Sequence, residues 1–160
     1  ISLVHMLYTQ RRYARRNYMK IAIGCDHAGY PLKVAVKDKL LKEGFEVVDF
    51  GTDSVESVDY PGYGKAVGKA VADGEAEKGI VICGSGIGIS IAANKVKGVR
   101  CALCTSVEMA EMSRRHNDAN VLAMGARMIE QDLAFKIVDK WLETDFEGGK
   151  HLRRINMLDE

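Results

Sequence analysis

The chain has 160 residues, 47% of them hydrophobic and 28% charged, a balance that predicts one globular domain with its own core and excludes a disordered chain. No apolar run approaches the roughly 20 residues that a membrane-spanning helix needs, so no membrane partner is expected. A net charge of +1 leaves no basic footprint, and no nucleic-acid partner is expected either.

Residues 1–18 hold Arg11, Arg12, Arg15 and Arg16 and no acidic residue. They lack an apolar periodic face and the long apolar core of a secretory signal. Met19-Lys20-Ile21 reads as a natural start. Residues 1–18 are therefore expected to be a leader, a tag remnant or a misassigned start outside the fold, with 19–160 forming a single domain. An Arg-rich, acid-free segment also has the composition of a transit peptide.

Lys20 to Cys25 is a short apolar run with strand character, followed by the loop Asp26-His27-Ala28-Gly29. Tyr30-Pro31 opens a helix, with proline where its missing N–H costs nothing. Leu32, Val36, Leu40 and Leu41 recur at helical spacing, and Gly44 ends the helix. Phe45 to Phe50 predicts a second strand and Thr52 to Tyr60 a polar loop. Pro61 opens a second helix, with Ala66, Val67, Ala70 and Val71 on one face. Gly79 to Cys83 is a buried strand, Gly84 to Gly88 a tight turn, and Ile89 to Val96 a helix. Val99 to Cys104 predicts a fourth strand, and Ser106 to Arg115 a helix capped by Ser106. Ala119 to Met124 predicts a fifth strand. Gln131 to Leu142 is a helix carrying Leu133, Ile137, Val138 and Trp141, and the tail from Gly148 holds Lys150, His151, Arg153 and Arg154.

This alternation predicts an α/β fold: a doubly wound, five-stranded parallel sheet with helices on both faces, a Rossmann-like three-layer sandwich. Sites in such folds form at the carboxyl ends of the strands. Asp26-His27, the turn after Cys83 and His116-Asn117-Asp118 are all expected at that edge.

The turn Gly84-Ser85-Gly86-Ile87-Gly88 lies between a buried strand and a helix. Its backbone N–H groups can form an anion-binding nest with a helix dipole behind them. No Gly-Lys-Ser/Thr follows, so it is not a nucleotide P-loop. Ile89 stands where a dinucleotide fingerprint has its third glycine, and where a phosphatase loop has its arginine. The alternative is a glycine turn required only for packing. Cys83, just before the turn, is either a buried structural thiol or one activated by the helix N-terminus. Cys101-Ala-Leu-Cys104 has redox spacing, but residues three apart on a strand face opposite sides, so both are expected to pack in the core. Four cysteines are too few for a disulfide scaffold and fit a reduced, cytoplasmic protein. Asp26-His27 and His116-Asn117 are acid–base candidates or caps. No His or Cys pair has ligand spacing on one element, so no metal is expected. Lys150 and Arg154, four apart, share a helix face and could hold a phosphate with Arg127, or form a solvated basic tail.

Several motifs stand in order: Gly24-Cys25-Asp26-His27-Ala28-Gly29, Asp59-Tyr60-Pro61, Cys83-Gly84-Ser85-Gly86-Ile87-Gly88, Ala92-Ala93-Asn94-Lys95, Arg115-His116-Asn117-Asp118-Ala119-Asn120 and Gly148-Gly149-Lys150-His151. From Met19 to about Met157 the chain resembles the ribose-5-phosphate isomerase B family, which also includes isomerases of hexose phosphates. The resemblance implies interconversion of an aldose and a ketose phosphate through an enediolate, with no metal and no organic cofactor. It implies that His116 opens the sugar ring with help from Asp26. It implies Cys83 as the base at C2, because Cys83 occupies the position of the family's cysteine version while Ile89 replaces the glutamate of the other version. The nest Gly84, Gly86, Ile87 and Gly88, with the Ser85 hydroxyl, would stabilise the enediolate. Tyr60 and Asn117 correspond to sugar-hydroxyl contacts, and His27, Arg127, Lys150 and Arg154 to the phosphate grip. Lys150 stands where relatives often carry Arg, keeping the charge without the planar fork. The resemblance further implies a homodimer or dimer of dimers with the site shared between subunits. Ribose 5-phosphate in the pentose phosphate pathway is the leading substrate. Allose or galactose 6-phosphate, and a non-catalytic phosphosugar-binding module, are the alternatives.

Overall fold

The computed structural model describes residues 2–7, 10 and 19–160. Residues 3–7 are helical, and residues 2–7 and 10 are exposed. The rest of the segment expected to stand outside the fold lies outside the described residues. The strands are β1 (Lys20–Cys25), β2 (Glu46–Asp49), β3 (Lys78–Cys83), β4 (Cys101–Leu103) and β5 (Val121–Gly125). The helices are α1 (Tyr30–Lys42), α2 (Tyr60–Ala72), α3 (Ile87–Asn94), α4 (Val107–Arg115), α5 (Gln131–Glu143) and α6 (Lys150–Leu158).

The strands form one parallel sheet in the order β2-β1-β3-β5-β4. Successive side chains on a strand alternate between faces, and a sheet covered on both sides must be apolar on both. Ile21, Ile23, Ile80, Ile82, Leu122 and Met124 pack on one face with Val36 and Leu40 of α1 and Ile137, Val138 and Trp141 of α5. Ala22, Val81, Cys83 and Ala123 pack on the other with Val67 and Ala70 of α2 and Ile89 and Ala93 of α3. The handedness rule explains this division. Stepping outward from β1 to β2 through a right-handed crossover puts α1 on one face, and reversing direction to reach β3 puts α2 on the other. The return from edge strand β4 inward to β5 likewise puts α4, whose Ala110 is buried, on the α1 side.

The expected doubly wound sandwich is thus the observed one, with shifted boundaries. Helix α2 begins at Tyr60 rather than Pro61, and α3 at Ile87 rather than Ile89. Strand β4 keeps only Cys101–Leu103 of the expected Val99–Cys104, as suits an edge strand paired on one side. Cys104 packs with one core face and Cys101 with the other, as strand alternation requires. Among the described residues no helix is long and apolar enough to cross a membrane.

Candidate active site

Strands β1 and β3 are neighbours whose following connections leave in opposite directions, so their carboxyl ends border the crevice where ligands bind in this architecture. Cys83 ends β3, is almost fully buried, and its Sγ accepts the Gly86 N–H at 3.1 Å. Gly86 caps α3 with φ +79°, a left-handed conformation that glycine adopts without strain. That kink folds its N–H back onto the sulfur. The Ile87 N–H donates to Ser85 Oγ at 3.2 Å, leaving the Ser85 hydroxyl proton to be donated elsewhere. Two amides of the turn therefore face the two side chains expected to do chemistry.

The first loop closes on the same edge. The Asp26 N–H bonds Ile82 O at 3.2 Å, and its buried carboxylate accepts the Gly29 N–H at 3.0 Å. His27 Nδ1 accepts the Val58 N–H at 3.2 Å. A neutral imidazole accepting at Nδ1 carries its proton on Nε2, where it can serve as a donor. Tyr60, 40% exposed, reaches from the start of α2 across the turn: a Cβ added at Gly88 would lie 2.5 Å from Tyr60 Cζ. Arg127 is held from the other side. Its N–H bonds Gly84 O at 2.9 Å, and a Cβ at Gly84 would lie 3.1 Å from Arg127 Nη1. Asp26, His27, Tyr60, Cys83, Ser85, the glycine turn and Arg127 thus share one edge.

His116, Asn117, Lys150 and Arg154 do not join them, which corrects the expectation that His116-Asn117-Asp118 lies at the carboxyl edge. A crossover helix returns to the amino end of the sheet, and His116 caps the carboxyl end of α4 before β5 begins. Within one chain the length of β5, about 15 Å at ~3.3 Å per residue, separates His116 from the Cys83 edge. The His116 ring stacks on His151 at 4.3 Å between centroids and 11° between planes. Glu147 Oε2 lies 4.0 Å from His116 Nε2 and 3.4 Å from His151 Nε2. Lys150 and Arg154 extend from the same region as exposed residues on α6. Asn117 O accepts the Arg100 Nε–H at 3.0 Å, and Asn117 borders a cleft of about 340 Å³ with Arg100, Leu158 and Asp159.

A model of the family described as Ribose/Galactose Isomerase matches residues 21–158. This chain belongs to that family. Ribose-5-phosphate isomerase B of Escherichia coli (strain K12) is 50% identical over 139 residues, covering 87% of this chain and 93% of that protein. A solved Clostridium thermocellum ribose-5-phosphate isomerase B is 57% identical with a TM-score of 0.88, covering 88% of this chain and 95% of that one. A Mycoplasma genitalium ribose-5-phosphate isomerase B solved with bound ribulose-5-phosphate is 40% identical with a TM-score of 0.85, covering 89% and 95%.

Within this family member the other thiols are poorly suited to chemistry. Burial pushes Cys25 up to about 11 against the nearby Lys33 ammonium, and pushes Cys101 up to about 12 and Cys104 up to about 11. Three residues at or near the two edges escaped sequence reasoning. Lys33 is 1% exposed; its Nζ donates to Asp49 Oδ1 at 2.9 Å and to Thr52 O, tying the carboxyl end of β2 to the loop that leads to Tyr60. Nothing in the helical pattern marks it, because its partners come from other elements. Glu147 precedes α6, so its four-residue spacing from His151 falls on no helix face and gives neither residue a role. With His116 they bring one ligand atom each within 4.8 Å of one another. The in-plane lone pairs of nearly parallel stacked rings nevertheless lie in nearly parallel planes, whereas a cation needs them to converge. The arrangement suits proton handling better than metal binding.

Proposed function

We propose that this chain is a cofactor-independent aldose–ketose isomerase that interconverts D-ribose 5-phosphate and D-ribulose 5-phosphate, with each site built from two copies of the chain. The observation that carries the reading is Cys83 Sγ at the head of a turn of N–H donors, with Arg127 across Gly84. Such a turn favours charge that develops on a substrate oxygen over the uncharged ground state.

In the proposed reaction Cys83 removes the C2 proton of the open aldose. The C–H electrons form the C1–C2 double bond, and the carbonyl electrons move to O1. The turn amides and the Ser85 hydroxyl donate to the enediolate oxygens, a proton passes from O2 to O1, and the proton held by Cys83 is delivered to C1 as the double-bond electrons form the new C–H bond and O2 becomes the carbonyl. Before that the ring must open, the role assigned to His116 with Asp26 assisting at the ring oxygen. Tyr60 and Asn117 hold sugar hydroxyls. His27, Arg127, Lys150 and Arg154 grip the phosphate.

The two-chain site is supported by topology. His116, Asn117, Lys150 and Arg154 lie at the amino edge while Cys83, Asp26 and Arg127 lie at the carboxyl edge, so one chain cannot close both around one five-carbon substrate. A second copy must bring its amino edge to the first copy's carboxyl edge. The isolated chain also exposes Ile87 and Ile91 of α3 and Leu152, Met157 and Leu158 of α6, apolar surface suited to such a contact. A homodimer, or a pair of dimers, satisfies both requirements. The four unpaired thiols fit a reducing compartment such as the cytoplasm, where the interconversion serves the non-oxidative pentose phosphate pathway.

The test is a side-by-side assay of ribose 5-phosphate, allose 6-phosphate and galactose 6-phosphate with the purified chain. Conversion of ribose 5-phosphate with the highest kcat/KM is expected. Preference for a hexose phosphate would move the assignment within the family, and binding without conversion would leave a phosphosugar-binding module.

A further inference from the structure

His116 stands at the C-terminal cap of α4, where a side chain has little helix around it to fix its ring. Two neighbours supply what the helix does not. His151, in the first turn of α6, lies flat against the ring at 4.3 Å. Glu147 is anchored through its own N–H to Arg115 O at 3.1 Å and presents Oε2 to both imidazoles. The other charges facing the pair are Arg115, whose Nη1 lies 3.8 Å from Glu147 Oε1 and whose Nη2 pairs with Glu111 at 2.8 Å, and Lys150 and Arg154 of α6.

This environment treats the two rings unequally. Burial of the His151 ring, the facing His116, and the cations Lys150 and Arg154 hold His151 below the ordinary imidazole range, against the pull of Glu147. The positive end of the α6 dipole acts in the same sense. Two stacked imidazolium rings would repel, and His151, the more enclosed ring at 12% exposed against 43% for His116, is the one held uncharged.

We infer that Glu147 and His151 are positioning residues for His116: the carboxylate balances the charge that His116 carries during ring opening, and the uncharged His151 ring fixes its plane. This rests on the assignment of His116 as the ring-opening group. In that step the C1–O4 bond breaks, O4 receives the proton carried by His116, and the proton of the anomeric hydroxyl leaves to a base, so that C1 becomes a carbonyl. Fixing the ring plane matters because proton transfer to O4 needs the nitrogen aimed at that oxygen.

The experiment separates ring opening from proton transfer at carbon. D-Ribulose 5-phosphate cannot close a five-membered ring, because the hydroxyl that would close it is phosphorylated. Deuterium wash-in from D₂O at its C1 therefore reports enediolate formation alone, whereas conversion of ribose 5-phosphate requires ring opening as well. Glu147→Gln and His151→Ala should slow ribose 5-phosphate conversion about tenfold or more, part of the 10²–10⁴ that general acid–base catalysis supplies. Wash-in should stay close to wild type. His151→Phe, which keeps a stacking ring without a proton, should retain most of the conversion. Equal loss of conversion and wash-in assigns the cluster to structural support and overturns the inference, as does a His151→Phe variant as slow as His151→Ala. His116→Asn separates the two levels. If it leaves conversion intact, the role of His116 itself fails and the inference with it. If it abolishes conversion while Glu147→Gln and His151→Ala do not slow it, only the positioning role fails.

Discussion

Gly88→Ala probes how closely the turn is fitted to Tyr60. The new Cβ would lie 2.5 Å from Tyr60 Cζ, 2.7 Å from Cε2 and 2.8 Å from the hydroxyl. Carbon atoms settle at about 3.5–4.0 Å, so the ring must retreat by roughly 1 Å. It has somewhere to go, since Tyr60 is 40% exposed. Gly88 lies within α3, where alanine is favoured over glycine by up to about 1 kcal/mol, which offsets part of the displacement. A net change within about 1 kcal/mol moves Tm by no more than about 4 °C in a domain of this size. The proposed sugar contact, by contrast, shifts by about 1 Å, a misplacement that can cost about 10²-fold in rate. We expect kcat/KM for ribose 5-phosphate to fall by about that factor while the melting curve hardly moves. A double-mutant cycle assigns the loss: added to Tyr60→Ala, Gly88→Ala should cost little more. Wild-type kcat/KM in Gly88→Ala, or an undiminished further loss on the Tyr60→Ala background, refutes the argument that the glycine serves the tyrosine.

Cys83→Ala should lower kcat by at least about 10²–10⁴ with substrate binding largely kept, and exchange of the C2 proton with solvent deuterium at the wild-type rate would falsify Cys83 as the base. Mixing unfolded Cys83→Ala and His116→Asn chains and refolding them together should restore up to about a quarter of wild-type activity, because half the dimers of a two-fold assembly are mixed and each carries one intact site; no recovery from two folded, inactive parents refutes the two-chain site. At Asp49, burial pushes the carboxyl up, but the Gly51 N–H and the Lys33 and Lys37 ammoniums outweigh it and hold the group below the ordinary carboxylate range. Its stabilisation is therefore present above about pH 4 and lost as pH falls through the lower folded value. Asp49→Asn, which leaves buried Lys33 only the exposed Asp53 carboxylate at 3.6 Å, should cost about 3 kcal/mol at pH 7 and much less at pH 3 in urea unfolding; a pH-independent difference contradicts the ion-pair account. Removing residues 1–18 should leave circular dichroism and isomerase activity unchanged, and an unfolded truncation would make that segment structural.

The alternation of apolar runs with helical periodicity was enough to specify the doubly wound sheet, since strands buried on both faces read as continuous apolar stretches such as Gly79 to Cys83. The glycine turn was legible for a local reason. Gly86 needs a left-handed backbone, and its neighbours continue directly from a strand into a helix, so sequence order and spatial order coincide from Cys83 to Ile89. Asp26 and His27 follow β1 as directly and were placed correctly by the same logic. His116 was not, because loops of like polarity occur at both ends of a parallel sheet. The edge to which a loop belongs depends on whether it follows a strand or a helix and on the path of the crossover. Lys33, Glu147 and His151 lay beyond sequence reasoning for a related reason. Their partners Asp49, Thr52 and His116 are brought to them by packing between elements, and packing leaves no mark in the periodicity of any one element. The sequence by itself thus determined the fold class and the glycine turn, both set by interactions within one strand–loop–helix unit. The tertiary structure alone decided that His116 and Cys83 lie at opposite ends of the parallel strands, because only the three-dimensional course of the chain converts order along it into distance between them.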